Sequence, residues 1–69
     1  MATPTALRLG EIFELTIQGL GHEGQGVGRF DDLVVFVPGA LPGERVVVRL
    51  RRQAKRHLEA DLVGVEEPS

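Results

Sequence analysis

Apolar and polar residues alternate along this chain in several short runs. From Glu11 onward, Phe13, Leu15 and Ile17 fall on one side of a period of two, and Glu14, Thr16 and Gln18 fall on the other. This is the pattern of a half-buried strand. Residues 33–37 form a short β-branched run, apolar on both sides, which leaves Phe36 ambiguous between core and surface. Residues 44–52 alternate again, with Val46, Val48 and Leu50 on one face and Arg45, Val47, Arg49 and Arg51 on the other. A connection near residues 53–56 leads to a last strand. There Leu58, Ala60 and Leu62 face inward, Glu59 and Asp61 face outward, and Gly64 bends the end.

The stretches between these runs are equally informative. Five of the nine glycines fall within residues 19–28. Such a run cannot be helical, because each glycine costs a helix about 1 kcal/mol. Gly24, Gly26 and Gly28 recur at period two, so one face of this stretch has no side chains. That predicts a bent or bulged strand, or one crossed closely by another backbone. Asp31-Asp32 predicts a tight turn, and Pro38-Gly39 and Pro42-Gly43 each predict a type II turn with proline second and glycine third. The expected fold is all-β, a small five-stranded antiparallel barrel, with no helix and no internal repeat. Closure removes the open edges that a flat sheet of this size would expose. The expected core is Phe13, Leu15, Ile17, Val27, Val35, Val37, Val46, Val48, Leu50, Leu58, Ala60 and Leu62.

Length and composition narrow the function. At 69 residues the chain is one domain at most, too small to house a cofactor site and a catalytic cleft easily. Residues 1–8, small and polar with Pro4, read as a flexible lead-in to a domain over residues 9–67. They have neither the basic start nor the apolar run of a signal peptide. No apolar stretch approaches the roughly 18 residues of a membrane span. With no cysteine, thiolate metal sites and disulfides are excluded, and the expected location is cytoplasmic. His22 and His57, 35 positions apart, form no metal-ligand cluster.

The net charge of −2 conceals a partition. Residues 45–57 contain six basic side chains and no acidic one, while Arg8 and Arg29 stand against all ten carboxylates elsewhere. Charge alone leaves two readings open: a face for an anionic partner, or a solvated hairpin balanced by Glu59, Asp61 and their neighbours. For an anionic partner the candidates are Arg49, Arg51, Arg52, Lys55, Arg56 and His57. Guanidinium forks suit phosphate oxygens because they donate two parallel hydrogen bonds. Stacking platforms are scarce, since there is no Tyr or Trp. Phe30, beside Arg29, is the aromatic assigned to the binding face, with simple packing as its alternative.

Other motifs fall away. Residues 19–24 match the letters of the dinucleotide-binding GxGxxG, but further glycine and another strand come where a helix would have to receive the pyrophosphate. His22-Glu23 has no nucleophile beside it and reads as an exposed loop. Asp31-Asp32 supplies too few oxygens for a hard cation.

Two blocks carry a resemblance. Gly24-Gln25-Gly26-Val27-Gly28-Arg29 and then Val35-Phe36-Val37-Pro38-Gly39-Ala40-Leu41-Pro42-Gly43-Glu44 resemble the TRAM domain, with similarity over residues 9–67. The resemblance implies a small OB-like β-barrel that binds RNA and is appended to RNA-modifying enzymes, or occurs as a free-standing protein. The Pro-Gly-Ala-Leu-Pro-Gly-Glu form is most similar to the amino-terminal TRAM domain of rRNA (uracil-C5) methyltransferases. It implies an accessory, non-catalytic module whose partner is RNA, ribosomal or transfer, acting as a monomer without a membrane. S-adenosylmethionine and an iron–sulfur cluster are then implied only for a longer protein, whose linker would begin where this chain stops. Arg29, Phe30 and the hairpin from Arg49 to His57 become the implied RNA-facing residues. A free-standing RNA chaperone and a protein-interaction barrel that never touches RNA are the rival expectations.

Overall fold

The computed structural model describes residues 8–68. The lead-in expected over residues 1–8 therefore lies, up to residue 7, outside the described residues. The elements are β1 (Ile12–Leu20), β2 (Gly26–Phe30), β3 (Leu33–Val37), β4 (Arg45–Gln53) and β5 (His57–Glu67). They close into a barrel in the order β1-β2-β3-β5-β4. No described residue is helical, so none lies in a helix long and apolar enough to cross a membrane.

One detail differs from the all-antiparallel expectation. β3 and β5 run parallel, pairing Val34 with His57 and Phe36 with Glu59. The other four pairings are antiparallel. Topology requires this, because an odd number of strands cannot alternate direction around a closed ring.

The core comprises Leu15, Ile17, Val35, Val37, Ala40, Val46, Val48, Leu50, Leu58 and Ala60, with Phe13, Phe30, Leu33 and Leu62 packed against it. Burial of each full-sized aliphatic side chain stabilises the fold by about 1.5–3 kcal/mol. Val27 departs from the expected core. Along β2, Gly26 and Gly28 are buried and Val27 is only half-buried, so the glycines face inward and the valine outward. The reason is space: a Cβ on Gly28 would collide with Leu15 Cδ1 and lie 2.7 Å from the Thr16 carbonyl oxygen. On Gly26 it would lie 2.8 Å from both the Cβ and the carbonyl oxygen of Ala40.

Ala40 comes from the segment that carries the chain from β3 past β5 to β4. Gly39 and Gly43 have φ of +90° and +88°, as the third position of a type II turn demands. The Ala40 and Glu44 amides donate to the Val37 and Leu41 carbonyls, each at 3.2 Å. Between the two turns Ala40 is buried against Gly26. Glu44 ties the segment down: its Oε1 accepts from the Leu41 amide at 2.8 Å, and its carbonyl accepts from the Ile17 amide at 2.9 Å. The paired Pro-Gly turns thus form a lid over one barrel end. At the other end the rings of Phe13 and Phe30 pack at 5.0 Å.

Candidate nucleic-acid interface

The outer face of β2, β3, β5 and β4 is determined by register. Because the glycines of β2 point inward, Val27 and Arg29 point outward. Arg29 pairs with Val34 and Val34 with His57, so one row across three strands reads Arg29, Val34, His57. The adjacent row reads Val27, Phe36, Glu59, Arg52. Neighbouring strands lie about 4.8 Å apart, so Arg29 and His57 are roughly 10 Å apart along their row. Residues distant in sequence thus share one face, on which Val27, Val34 and Phe36 lie among Arg29, Arg52, His57 and Glu59.

Bulges in the β4–β5 ribbon add to this face. Leu50 pairs with Ala60 and Arg52 with Glu59, leaving Arg51 as an extra residue in β4. A bulge of this kind breaks the strict alternation of side chains. Consequently Arg51 and Arg52, though consecutive, are both exposed and both reach Glu59, at 3.7 and 4.0 Å. Arg51 also meets Asp61 at 3.3 Å, and His57 Nε2 lies 3.2 Å from Glu59 Oε2. Glu59 is therefore shared by three of the candidate residues, Arg51, Arg52 and His57.

The remaining candidates differ in character. Among the described residues, no ion pair within 4.0 Å involves Arg29, Arg49, Lys55 or Arg56. All four are exposed. Arg45 stands apart, bridging Glu14 at 3.1 Å and Glu66 at 3.8 Å, and so fastens β1, β4 and β5 together. Phe30 is not on this face. It is half-buried, and its ring packs against Phe13 and the core. The aromatic that does face outward is Phe36, in edge-to-face contact with His57 at 5.3 Å and 74°. Its exposure was hidden in the sequence because residues 33–37 are apolar on both faces. The register with outward-facing Val27 reveals it.

Phe36 and His57 line an open groove of about 480 Å³, together with His22–Gln25, Pro38, Gly39, Arg51 and Glu59. Arg49 and Arg51 both face outward as their spacing predicts, but of the two only Arg51 borders this groove. The loop 21–25 is held by the Gly21 amide donating to the Gln25 carbonyl at 2.8 Å and by the Glu23 amide donating to Gln25 Oε1 at 2.9 Å. His22 and Glu23 are exposed on it, and the next element is a strand rather than the helix that a dinucleotide-binding glycine motif needs.

Comparison with known proteins agrees with this architecture. Residues 6–63 match the TRAM domain. A protein of Synechocystis sp. named as an uncharacterized RNA methyltransferase is 46% identical over 68 residues, covering 99% of this chain and 15% of that protein. The 23S rRNA (uracil(1939)-C(5))-methyltransferase RlmD of Alkalilimnicola ehrlichii is 44% identical over 59 residues, covering 86% of this chain and 13% of the enzyme. The chain thus spans about a seventh of the length of these relatives. The solution structure of a conserved protein from Methanococcus maripaludis superposes with a TM-score of 0.78 at 32% identity, over 90% of this chain and 86% of that one. With the inward glycines, the double Pro-Gly lid and the five-stranded closure all accounted for, this chain belongs to the TRAM domain family.

Proposed function

We propose that this chain is an RNA-binding module, the N-terminal RNA-recognition domain of an S-adenosylmethionine-dependent rRNA (uracil-C5) methyltransferase, with no catalysis of its own. The observation that carries the reading is the gathering of Arg29, Arg51, Arg52 and His57 around the outward ring of Phe36. Cations that share a face with an outward-facing aromatic supply the two contacts RNA offers without sequence, phosphate and base face. The names of the relatives support the enzyme class. In this reading S-adenosylmethionine and the iron–sulfur cluster belong to the remainder of a longer cytoplasmic protein. This chain contains no cysteine to ligate the cluster.

The test is RNA affinity as a function of salt. Fluorescence anisotropy with a labelled stem–loop and a labelled single strand should give log K falling steeply with log salt. The variant R51A/R52A/R56A should flatten that slope by about two, since each phosphate contact contributes roughly 0.7–0.9. Unchanged affinity and slope would refute the assignment. A free-standing RNA chaperone is distinguished by the gene downstream of Ser69: a reading frame continuing into cysteine-containing sequence excludes it. A protein-docking barrel is favoured instead if RNA leaves the amide signals of Arg29 and residues 49–57 unmoved.

A further inference from the structure

The groove beside Phe36 carries a more specific inference, which rests on the RNA-binding reading. We propose that it receives a single unstacked nucleobase, laid against the Phe36 ring, while the flanking phosphates run along the cationic rim.

Four observations converge. First, of the three phenylalanines, Phe13 and Phe30 pack on each other and on the core, and Phe36 alone projects from the outer face. The Phe36 ring is half-buried, lines the groove and stands edge-to-face with His57 at 5.3 Å. Second, a groove of about 480 Å³ lies within the range typical of small-molecule sites, and its lining includes residues of the loop 21–25 and Pro38-Gly39 beside the Phe36 ring. Third, the charge within the groove disfavours a phosphate there. Glu59 and Glu23 both line it, and Glu59 already holds Arg51 and His57. A neutral, flat occupant with hydrogen-bonding edges meets these carboxylates and the imidazole without repulsion. Fourth, cations with no ion-pair partner among the described residues lie outside the groove. Arg29 stands in the row of His57, and Lys55 and Arg56 immediately precede it. Phosphates held there leave a base between them free to turn inward.

The experiment uses the whole chain and two substitutions of Phe36. Phe36→Leu keeps apolar bulk but removes the π-face. It should weaken binding of a single-stranded RNA about tenfold or more, within the range base–aromatic stacking contributes, while leaving the salt slope and the melting temperature near those of the parent. Phe36→Trp places the chain's single tryptophan in the groove, and its fluorescence should fall by about half or more at RNA saturation as a base stacks on the indole. Arg56→Ala should lower affinity and flatten the salt slope while preserving that quench at saturation. If Phe36→Leu binds RNA within twofold of the parent and the Phe36→Trp signal does not change, the base site is refuted and the RNA-binding reading stands. If the parent chain itself binds no RNA at low salt, both fall together.

Discussion

Replacing Gly28 by alanine adds one methyl group to the most crowded inward position of β2. The new Cβ would strike Leu15 Cδ1, lie 3.1 Å from Leu15 Cγ, and approach the Thr16 carbonyl oxygen to 2.7 Å. The first two contacts could be relieved by a flexible side chain in open space. Leu15, however, is 4% exposed, with core neighbours on its other sides. The third contact is with backbone. Thr16 pairs with Arg45 across the β1–β4 ladder, so moving its carbonyl moves two strands. Overpacking of this kind costs about 1–3 kcal/mol, and two simultaneous clashes, one of them with backbone, argue for the upper part of that range. For a domain of this size each kcal/mol lowers Tm by about 4–8 °C, so Gly28→Ala should melt roughly 10–20 °C below the parent. Gly19→Ala is the control: it lies on the neighbouring strand, and nothing stands within 4 Å of its added Cβ. It should be neutral or stabilising by a few tenths of a kcal/mol, because alanine restricts the unfolded chain. Thermal and urea unfolding monitored by circular dichroism measures both. A Gly28→Ala melt within about 2 °C of the parent, or equal losses at both sites, would refute the inward placement of the β2 glycines.

Asp31 and Asp32 occupy the hairpin between β2 and β3 with φ of 54° and 68°, a region that disfavours most L side chains and suits glycine at the second position of a type I′ turn. Asp32→Gly should therefore raise stability by about 0.5–1 kcal/mol, or roughly 2–8 °C in Tm, and a lower Tm would mean that the Asp32 side chain makes a stabilising contact of its own. Glu59→Gln removes the carboxylate shared by Arg51, Arg52 and His57. It should tighten RNA binding about three- to tenfold at low salt, because the carboxylate that competes with phosphate for Arg51 and Arg52 is gone. The stability change should stay within about 1 kcal/mol, because both arginine partners are at least half exposed. Weaker binding on this substitution would contradict the competition between Glu59 and phosphate.

What the sequence disclosed and what it concealed divide along the range of the interactions. The strands were legible because alternation is local: Val46, Val48 and Leu50 against Arg45, Arg49 and Arg51 needs no knowledge of a partner strand. The Pro-Gly turns were legible for the same reason. Val27 was assigned inward on hydrophobicity alone, although the glycines flanking it at period two already implied that one face was shaved for close approach. The groups that fill that space, Leu15 and Ala40, depend on contacts across the barrel. Ala40 looked like a loop residue, and the only signal of its burial is an apolar residue held between two tight turns. For the candidate site, charge picks out the cations, but their division into paired and unpaired ones depends on the bulge at Arg51, which no local pattern announces. Phe30 turns toward the core and the ambiguous Phe36 outward, because side-chain direction in these short apolar strands is set by register between strands.

Closing the barrel and assembling the cationic face are therefore solved by the same residues. A slip of one position in β2 would turn Arg29 into the core and both glycines to solvent. Leu15 and Ala40 oppose that slip sterically, since each occupies the volume that a side chain in place of Gly28 or Gly26 would need. The row Arg29, Val34, His57 is thus locked by packing on the opposite face of the same strands. A face fixed in this way loses little conformational freedom when it meets a ligand, so more of its contact energy appears as affinity. Adaptation is left to the rim, where the loop 21–25 and the hairpin tip 54–56 flank the face without contributing to the buried core. In a domain of 69 residues with little hydrophobic core to spare, the proposed recognition face is the outer side of strands whose inner side already determines their register.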